Sequence, residues 1–376
     1  MQKAFETKAK FGQHRKAHFT EIHGGFVSQV VFINFDWIGE SVEFLPKKAV
    51  VKVTTAQELQ KVVDQILAKS SDEFSDIGAM INNNELNFYE NCKKWGLDED
   101  WITRFYCGRK AGHGISCGYI ALELIEGIEA RYQYDCVKEP AFLDILKMAT
   151  NIHSRAILNP DIVNEISRNV PETVYAQLFS AESTQSVLNT ILIDEPQKKD
   201  QIERINKFAQ IYDHLERERA IKMETCPMKL LCHGDFTIAN FLWHQVDNVL
   251  KPKIALDWQM CHIGNPLTDL ARLFAISLSP EDLKNRRDFY LEFYFEELKK
   301  EAFPKELPWE SKEKFIEAFE KTFPIEMVIV TSMLVPIVDA MLRTCPESKK
   351  EKTAKEFRRK LYGILDVCEE FIEKFY

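Results

Sequence analysis

Leu231-Cys232-His233-Gly234-Asp235-Phe236-Thr237-Ile238-Ala239-Asn240 is the stretch on which the reading of this chain turns. A second carboxylate follows in Ile254-Ala255-Leu256-Asp257-Trp258. An Asp in a tight loop, an Asn shortly after it and an Asp closing an apolar strand are the groups that phosphoryl transfer from a nucleotide requires. Gly234 permits an unusual backbone angle just before Asp235. Asp235 can then accept a hydrogen bond from an attacking hydroxyl and take its proton late in transfer. Asn240 offers a neutral amide oxygen and Asp257 a carboxylate, hard donors that suit Mg2+ alongside phosphate oxygens. A lone His-Gly-Asp would be an ordinary turn. Here it is followed in order by the spaced Asn, by Leu-Asp-Trp and by Gly264-Asn265-Pro266-Leu267-Thr268-Asp269-Leu270-Ala271, and that order argues for a catalytic set.

Residues 231–274 resemble the aminoglycoside phosphotransferase and choline kinase superfamily, a branch of the protein-kinase-like fold. The wording is most similar to the choline kinase-like and ecdysteroid kinase-like group. The resemblance implies Asp235 as catalytic base, with Asn240 and Asp257 as metal ligands. It also implies structural support of the catalytic loop by Asp269 and His233. There are two departures. The ecdysteroid kinase-like pattern often has Trp soon after the Asp, where this chain has Phe236-Thr237. Choline kinases proper usually have Asn at the position of Gly234, which counts against choline as acceptor.

The nucleotide end is read upstream. Lys52 lies in Val50-Val51-Lys52-Val53, a strand setting from which a lysine reaches the α- and β-phosphates. His23-Gly24-Gly25-Phe26-Val27-Ser28 occupies the turn before the second strand, where a phosphate flap belongs. Gly24 and Gly25 would let backbone N–H groups approach an anion, and Ser28 could donate to it. Glu85 is the expected partner of Lys52, at the head of a helix through Tyr89 that Asn82, Asn83 and Asn84 would cap. Glu58 is nearer but follows the strand too closely for its helix to fold back. The backbone of Glu123, Leu124 and Ile125 is expected to pair with adenine.

The elements around these motifs fall into two parts. Strands are expected at 17–22, 29–37 and 49–53, a helix at 55–68 with Thr55 and Glu58 at capping-box spacing, and a hairpin of 103–110 with 115–124. After about residue 126 the pattern is helical. Phe142, Ile145, Leu146, Ala149, Ile152 and His153 fall on one face at 3.6 periodicity. His153 is expected to be a hydrogen-bonded core histidine, Trp243 and Trp258 core aromatics, and Cys232 a small apolar filler. The pair His14 and His18 has the spacing of a helical zinc site but no third ligand. Residues 348–360 read as a solvated helix face. The expected fold is therefore α+β and protein-kinase-like with two lobes: a small β-rich N-lobe over 1–124 and a larger α-helical C-lobe over 125–376.

Bulk composition sets the outer limits. The chain has 376 residues, 45% of them apolar, enough for a sizeable core. A net charge of −9 argues against general binding of nucleic acid or of an anionic membrane. The 9 cysteines form no CxxC pair and point to a reducing, cytoplasmic setting. The N-terminus has no apolar core of a signal peptide. Residues 327–342 are read as a buried helix, too short to span a bilayer. The HisArgAsp, AspPheGly and AlaProGlu wording of protein kinases is missing, so a protein substrate is not expected. The function expected is ATP- and Mg2+-dependent phosphorylation of a small-molecule alcohol, with a steroid-like or glycosidic alcohol as the family-based guess. A catalytically silent nucleotide-binding protein and a choline or ethanolamine kinase are the alternatives. Oligomeric state is not legible.

Overall fold

In this computed structural model, residues 5–19, 28–55, 74–112, 117–167, 170–178, 181–211 and 221–376 are described. Gly24 and Gly25, most of the helix expected at 55–68 and Glu58 with it lie outside those residues. The chain divides into two compact units. One comprises Met1–Ile128 with Ile254–Met260, and the other Glu129–Lys253 with Cys261–Tyr376. The sequence boundary at 124/125 thus shifts slightly. The short segment carrying Asp257 groups with the first unit rather than with the catalytic-loop region.

The first unit is built on strands β1 (Lys10–Phe11), β2 (Lys16–Phe19), β3 (Ser28–Asn34), β4 (Trp37–Ile38), β5 (Lys48–Thr55), β6 (Phe105–Arg109) and β7 (Cys117–Glu123). Five of them form one sheet in the order β2-β3-β5-β7-β6, antiparallel throughout. The Val- and Ile-rich runs of β3 and β5 favour this pleated, half-buried setting. Lys52 sits mid-strand in β5, opposite Val30 on β3 and Ile120 on β7. His18 lies on β2 and is exposed, as is His14, so the helical spacing read for that pair does not apply.

Helix α1 (Phe74–Asn91) corrects one expectation. It was expected to begin near Glu85 behind a capping row of asparagines. Instead Asn82, Asn83 and Asn84 lie inside it, and their amides serve neighbouring backbone. Asn83 bonds both ways with Ala111 (2.8 and 3.0 Å), Asn82 donates to the Arg109 carbonyl (3.3 Å) and Asn84 to the Gln259 carbonyl (3.0 Å). Gly118 is needed for this fit, because a Cβ there would lie 2.2 Å from the Asn82 amide nitrogen. The capping preference of Asn shares its origin with this behaviour: a short amide that bonds backbone groups.

The second unit contains α2 (Ala141–Leu158), α3 (Val170–Leu178), α4 (Ala181–Asp194) and α5 (Lys199–Ile211), then strands β8 (Leu230–Cys232), β9 (Phe241–Val246), most of β10 (Val249–Ala255) and β11 (His262–Gly264). Helices α6 (Pro266–Ser277), α7 (Pro280–Asn285), α8 (Arg287–Ala302), α9 (Lys312–Thr344) and α10 (Glu347–Phe375) complete it. Every residue of α6 is buried, which makes it the axis of the helical core. Asn265 caps it by accepting from the Leu267 amide at 3.0 Å, and Pro266 fits its first turn. By length and composition α9 could cross a bilayer, and it is longer than the run 327–342 suggested. Glu320 and Glu326 on it are nonetheless buried and paired, with Lys374 and Arg272, the pattern of a core helix.

The stretch 348–360 is less uniformly solvated than expected, because Phe357 and Lys360 are buried. The Lys360 ammonium donates to the carbonyls of Ile276 (2.7 Å), Gln133 (3.0 Å) and Asp135. It fastens α10 to the end of α6 and to the loop before α2. Lys360→Met removes those bonds and strands buried carbonyls. The expected cost is about 3 kcal/mol, read as a fall of several degrees in Tm by calorimetry.

Candidate active site

The residues read as a catalytic loop are set by a short turn. β8 delivers buried His233, and Gly234 follows at φ +84°, in the left-handed region. A single 3-10 turn over Ile238–Asn240 then brings the chain back on itself. As a result the Asn240 Nδ2 donates to both the backbone carbonyl of Asp235 (2.7 Å) and its Oδ2 (2.8 Å). With the amide nitrogen turned to Asp235, the Asn240 amide oxygen points elsewhere, as a metal donor requires. Asp235 itself is partly accessible, its side chain 30% exposed. Its amide donates to His233 Nδ1 at 3.2 Å.

Asp269, on α6, holds this loop by its backbone. Its Oδ2 accepts from the His233 amide (2.6 Å) and its Oδ1 from the Gly234 amide (2.8 Å). Its Oδ2 also lies 3.2 Å from His153 Nε2, while His153 Nδ1 lies 2.7 Å from the Tyr294 hydroxyl. Burial by itself would push the Asp269 carboxyl up, but the bond and charge of His153, with His233 and His262 nearby, hold it down at about 2. The donor atoms of Cys232, His153 and Asp269 lie within 4.8 Å of one another. Burial raises its thiol well above the ordinary value, and Asp269 is already engaged by two amides, so the trio reads as a brace and not a metal site.

A separate cluster forms in the first unit. Lys52 Nζ lies 2.7 Å from Glu85 Oε2 and is bonded to Asp257 Oδ1 as well. Burial would lower the pKa of Lys52, but Asp257 and Glu85 outweigh it and hold the ammonium above the ordinary lysine range. Glu85 sits in the body of α1, not at its head, so its partner is the lysine and not the helix dipole. Asp257 has φ +65°, a conformation that Asp and Asn tolerate better than most side chains. It is held there by Trp258, which stacks on Phe88 (3.8 Å between centroids, 9° between planes) and donates its indole N–H to Ala255.

Two other expected contacts look different. Ser28, buried at the start of β3, shares a hydrogen bond with the Thr54 hydroxyl on β5 (3.0 Å). The backbone of Glu123 is engaged by the sheet: its N–H donates to the Arg104 carbonyl (2.9 Å) and its carbonyl accepts from Thr103 (3.2 Å). Pairing of β7 therefore runs through Glu123, and its backbone is taken up by the sheet.

Two residues were missed in the sequence. Arg272, on α6, lies 3.4 Å from Asp235 Oδ1, and buried Glu326 on α9 holds it at 2.9 Å. The signals were present: Arg272 follows Asp269 at i,i+3, and Glu326 is a lone acid between apolar neighbours. Both residues line a cavity of about 260 Å3 beside Gly234, together with Glu172, Lys222, Lys229 and His262.

The fold is α+β and protein-kinase-like, with a lysine on the central strand of the antiparallel sheet paired to a helical Glu, and a turn in the helical unit that bonds Asn240 to Asp235. The chain belongs to the family DUF1679, described as "Uncharacterized oxidoreductase dhs-27", which matches it over residues 1–374. No curated protein matches it by sequence. Solved structures similar to it include APH(2")-IIia with GDP and kanamycin, 11% identical over 96% of each chain with a TM-score of 0.48. The amicoumacin kinase hAmiN with AMP-PNP, Ca2+ and Ami is 13% identical over 95% of this chain and 89% of that one, TM-score 0.48. A microcompartment-associated aminopropanol kinase is 9% identical over 99% and 97%, TM-score 0.45.

Proposed function

We propose that this chain is an ATP-dependent kinase that phosphorylates a hydroxyl of a small polar metabolite, within the choline kinase-like branch that its motif wording resembles. The observation that carries the reading is Lys52 held between Glu85 and Asp257. A fixed ammonium of this kind suits the α- and β-phosphates of a nucleotide. Asp235 is the group that accepts the hydrogen bond of the acceptor hydroxyl and receives its proton. Asn240 turns its amide nitrogen inward and Asp257 presents a carboxylate, so each offers an oxygen suited to Mg2+. When bound, the ion would neutralise phosphate charge.

The charged cavity beside Gly234 refines the acceptor. Burying a steroid against Arg272, Glu326 and the Lys222 and Lys229 region would strip polar groups of water without return. A polyhydroxylated or glycosidic alcohol would satisfy them. The word oxidoreductase in the family description suggests a second reading. A dinucleotide fold, however, rests on parallel strands joined by crossover helices, and the five-stranded sheet here is antiparallel throughout.

The test is a polar metabolite extract incubated with ATP, Mg2+ and the protein, searched by mass spectrometry for a phosphate increment. Tight nucleotide binding with no transfer to any acceptor would favour the silent-binder alternative, and saturable transfer to choline the choline kinase one. In the same assay Lys52→Met is expected to cut transfer by about 100-fold and to weaken nucleotide binding in titration calorimetry.

A further inference from the structure

Helix α6 presents two polar side chains, Asp269 and Arg272, to the loop 233–235. Asp269 fixes the amides of His233 and Gly234. Arg272 reaches the reactive end instead, its Nη1 3.4 Å from Asp235 Oδ1. Glu326 holds the other side of the guanidinium through Nε (2.9 Å) and Nη2. The Arg272 and Glu326 side chains are 4% and 2% exposed.

Stability is a poor reason for such a pair. Two charges taken out of water cost free energy that a packed apolar pair would not. What the pair supplies is direction. A planar guanidinium clamped by a carboxylate on one side has its remaining donor aimed on the other. Asn240 already holds Asp235 Oδ2, so the two oxygens of Asp235 are gripped by two donors from different elements. That arrangement fixes the torsion of the carboxylate.

We infer that Arg272, seated by Glu326, is a positioning residue that aims the Asp235 carboxylate at the acceptor hydroxyl. The role in turnover rests on the kinase reading above. Arg272 and Glu326 also line the cavity beside Gly234, so an acceptor bound there touches the pair that sets Asp235.

The test uses the full chain with Arg272→Lys, Glu326→Gln and the double variant Arg272→Met with Glu326→Met. The double variant replaces the ion pair by an apolar one and is expected to keep Tm within a few degrees of the wild type. Its kcat is expected to fall by about 100-fold, with acceptor KM and nucleotide affinity within about threefold, the signature of a misplaced reacting group. Arg272→Lys keeps the charge without the fork. It is expected to lose about tenfold in kcat, and it carries the measurement if the double variant folds poorly. In crystals of the variants, the Asp235 side chain is expected to leave its wild-type rotamer. A stable double variant with wild-type kcat would make the pair merely structural and overturn the inference. An unmoved Asp235 carboxylate would overturn it too. If the wild type transfers phosphate to no acceptor, the kinase reading fails, and the Asp235 rotamer still decides whether Arg272 positions it.

Discussion

Asp235→Asn is expected to lower phosphoryl transfer by roughly 10²–10⁴-fold, the range of a lost general base, with nucleotide affinity unchanged. The substitution keeps the shape of the side chain, and its amide oxygen can still accept from Asn240 Nδ2, which now lies 2.8 Å from Oδ2. What it loses is the capacity to take a proton and the charge facing Arg272. The new amide nitrogen then faces Arg272 Nη1, donor against donor, but Glu326 still holds the guanidinium and the 30% exposed side chain can be met by water, so only a small fall in Tm is expected. Steady-state kinetics together with a thermal melt separates loss of chemistry from loss of fold. Equal turnover by the two proteins would remove Asp235 from the mechanism.

Asp269→Asn should act through the fold as well as through the reaction. The Asp269 carboxylate accepts from the His233 and Gly234 amides and lies against His153. An Asn can face only one of these donors with its oxygen and turns its own N–H groups on the rest. Breaking a buried charged network of this kind costs about 3–5 kcal/mol, so the variant is expected to melt well below the wild type and to lose turnover together with loop order. The acid limb of stability follows from the same group. Its folded pKa of about 2 lies below the ordinary 3.8. A depressed carboxyl contributes stability above its unfolded pKa and loses it as pH falls through the folded value. The difference corresponds to about 2 kcal/mol at neutral pH, lost between about pH 4 and pH 2. Denaturant melts of wild type and Asp269→Asn across that window should converge as the pH falls. A constant gap between them would place the cause elsewhere.

The sequence was informative wherever the chemistry is local. His-Gly-Asp through Asn240 spans one turn, so its spacing directly encodes the bond between Asn240 and Asp235. The runs that became β3 and β5 announced themselves by β-branched content, the β6–β7 hairpin by the glycines at 112 and 114 between its strands, and α2 by its buried face. Long-range pairings left weaker marks. Asp257 meets Lys52 from 205 positions away, and Glu326 meets Arg272 from 54, distances at which periodicity is silent. The asparagine row misled for a physical reason. An amide that can cap a helix can equally bond a neighbouring strand, and only the tertiary arrangement decides which. Glu123 is similar: the end of β7 and the start of a connecting segment read alike in sequence, yet the ladder consumes its amide.

The same asparagine row bears on regulation. Many protein kinases turn off by swinging the helix that bears the lysine's glutamate away from the sheet. In this chain the glutamate-bearing helix is tied at Arg109, at Ala111 and at Gln259, and Phe88 is stacked on Trp258. An outward swing would have to break all of these fastenings together, which makes the helix a fixed post and not a lever. On the proposed kinase reading no activating movement of this helix is needed, and turnover is expected to start without a lag when nucleotide and acceptor are mixed with the protein.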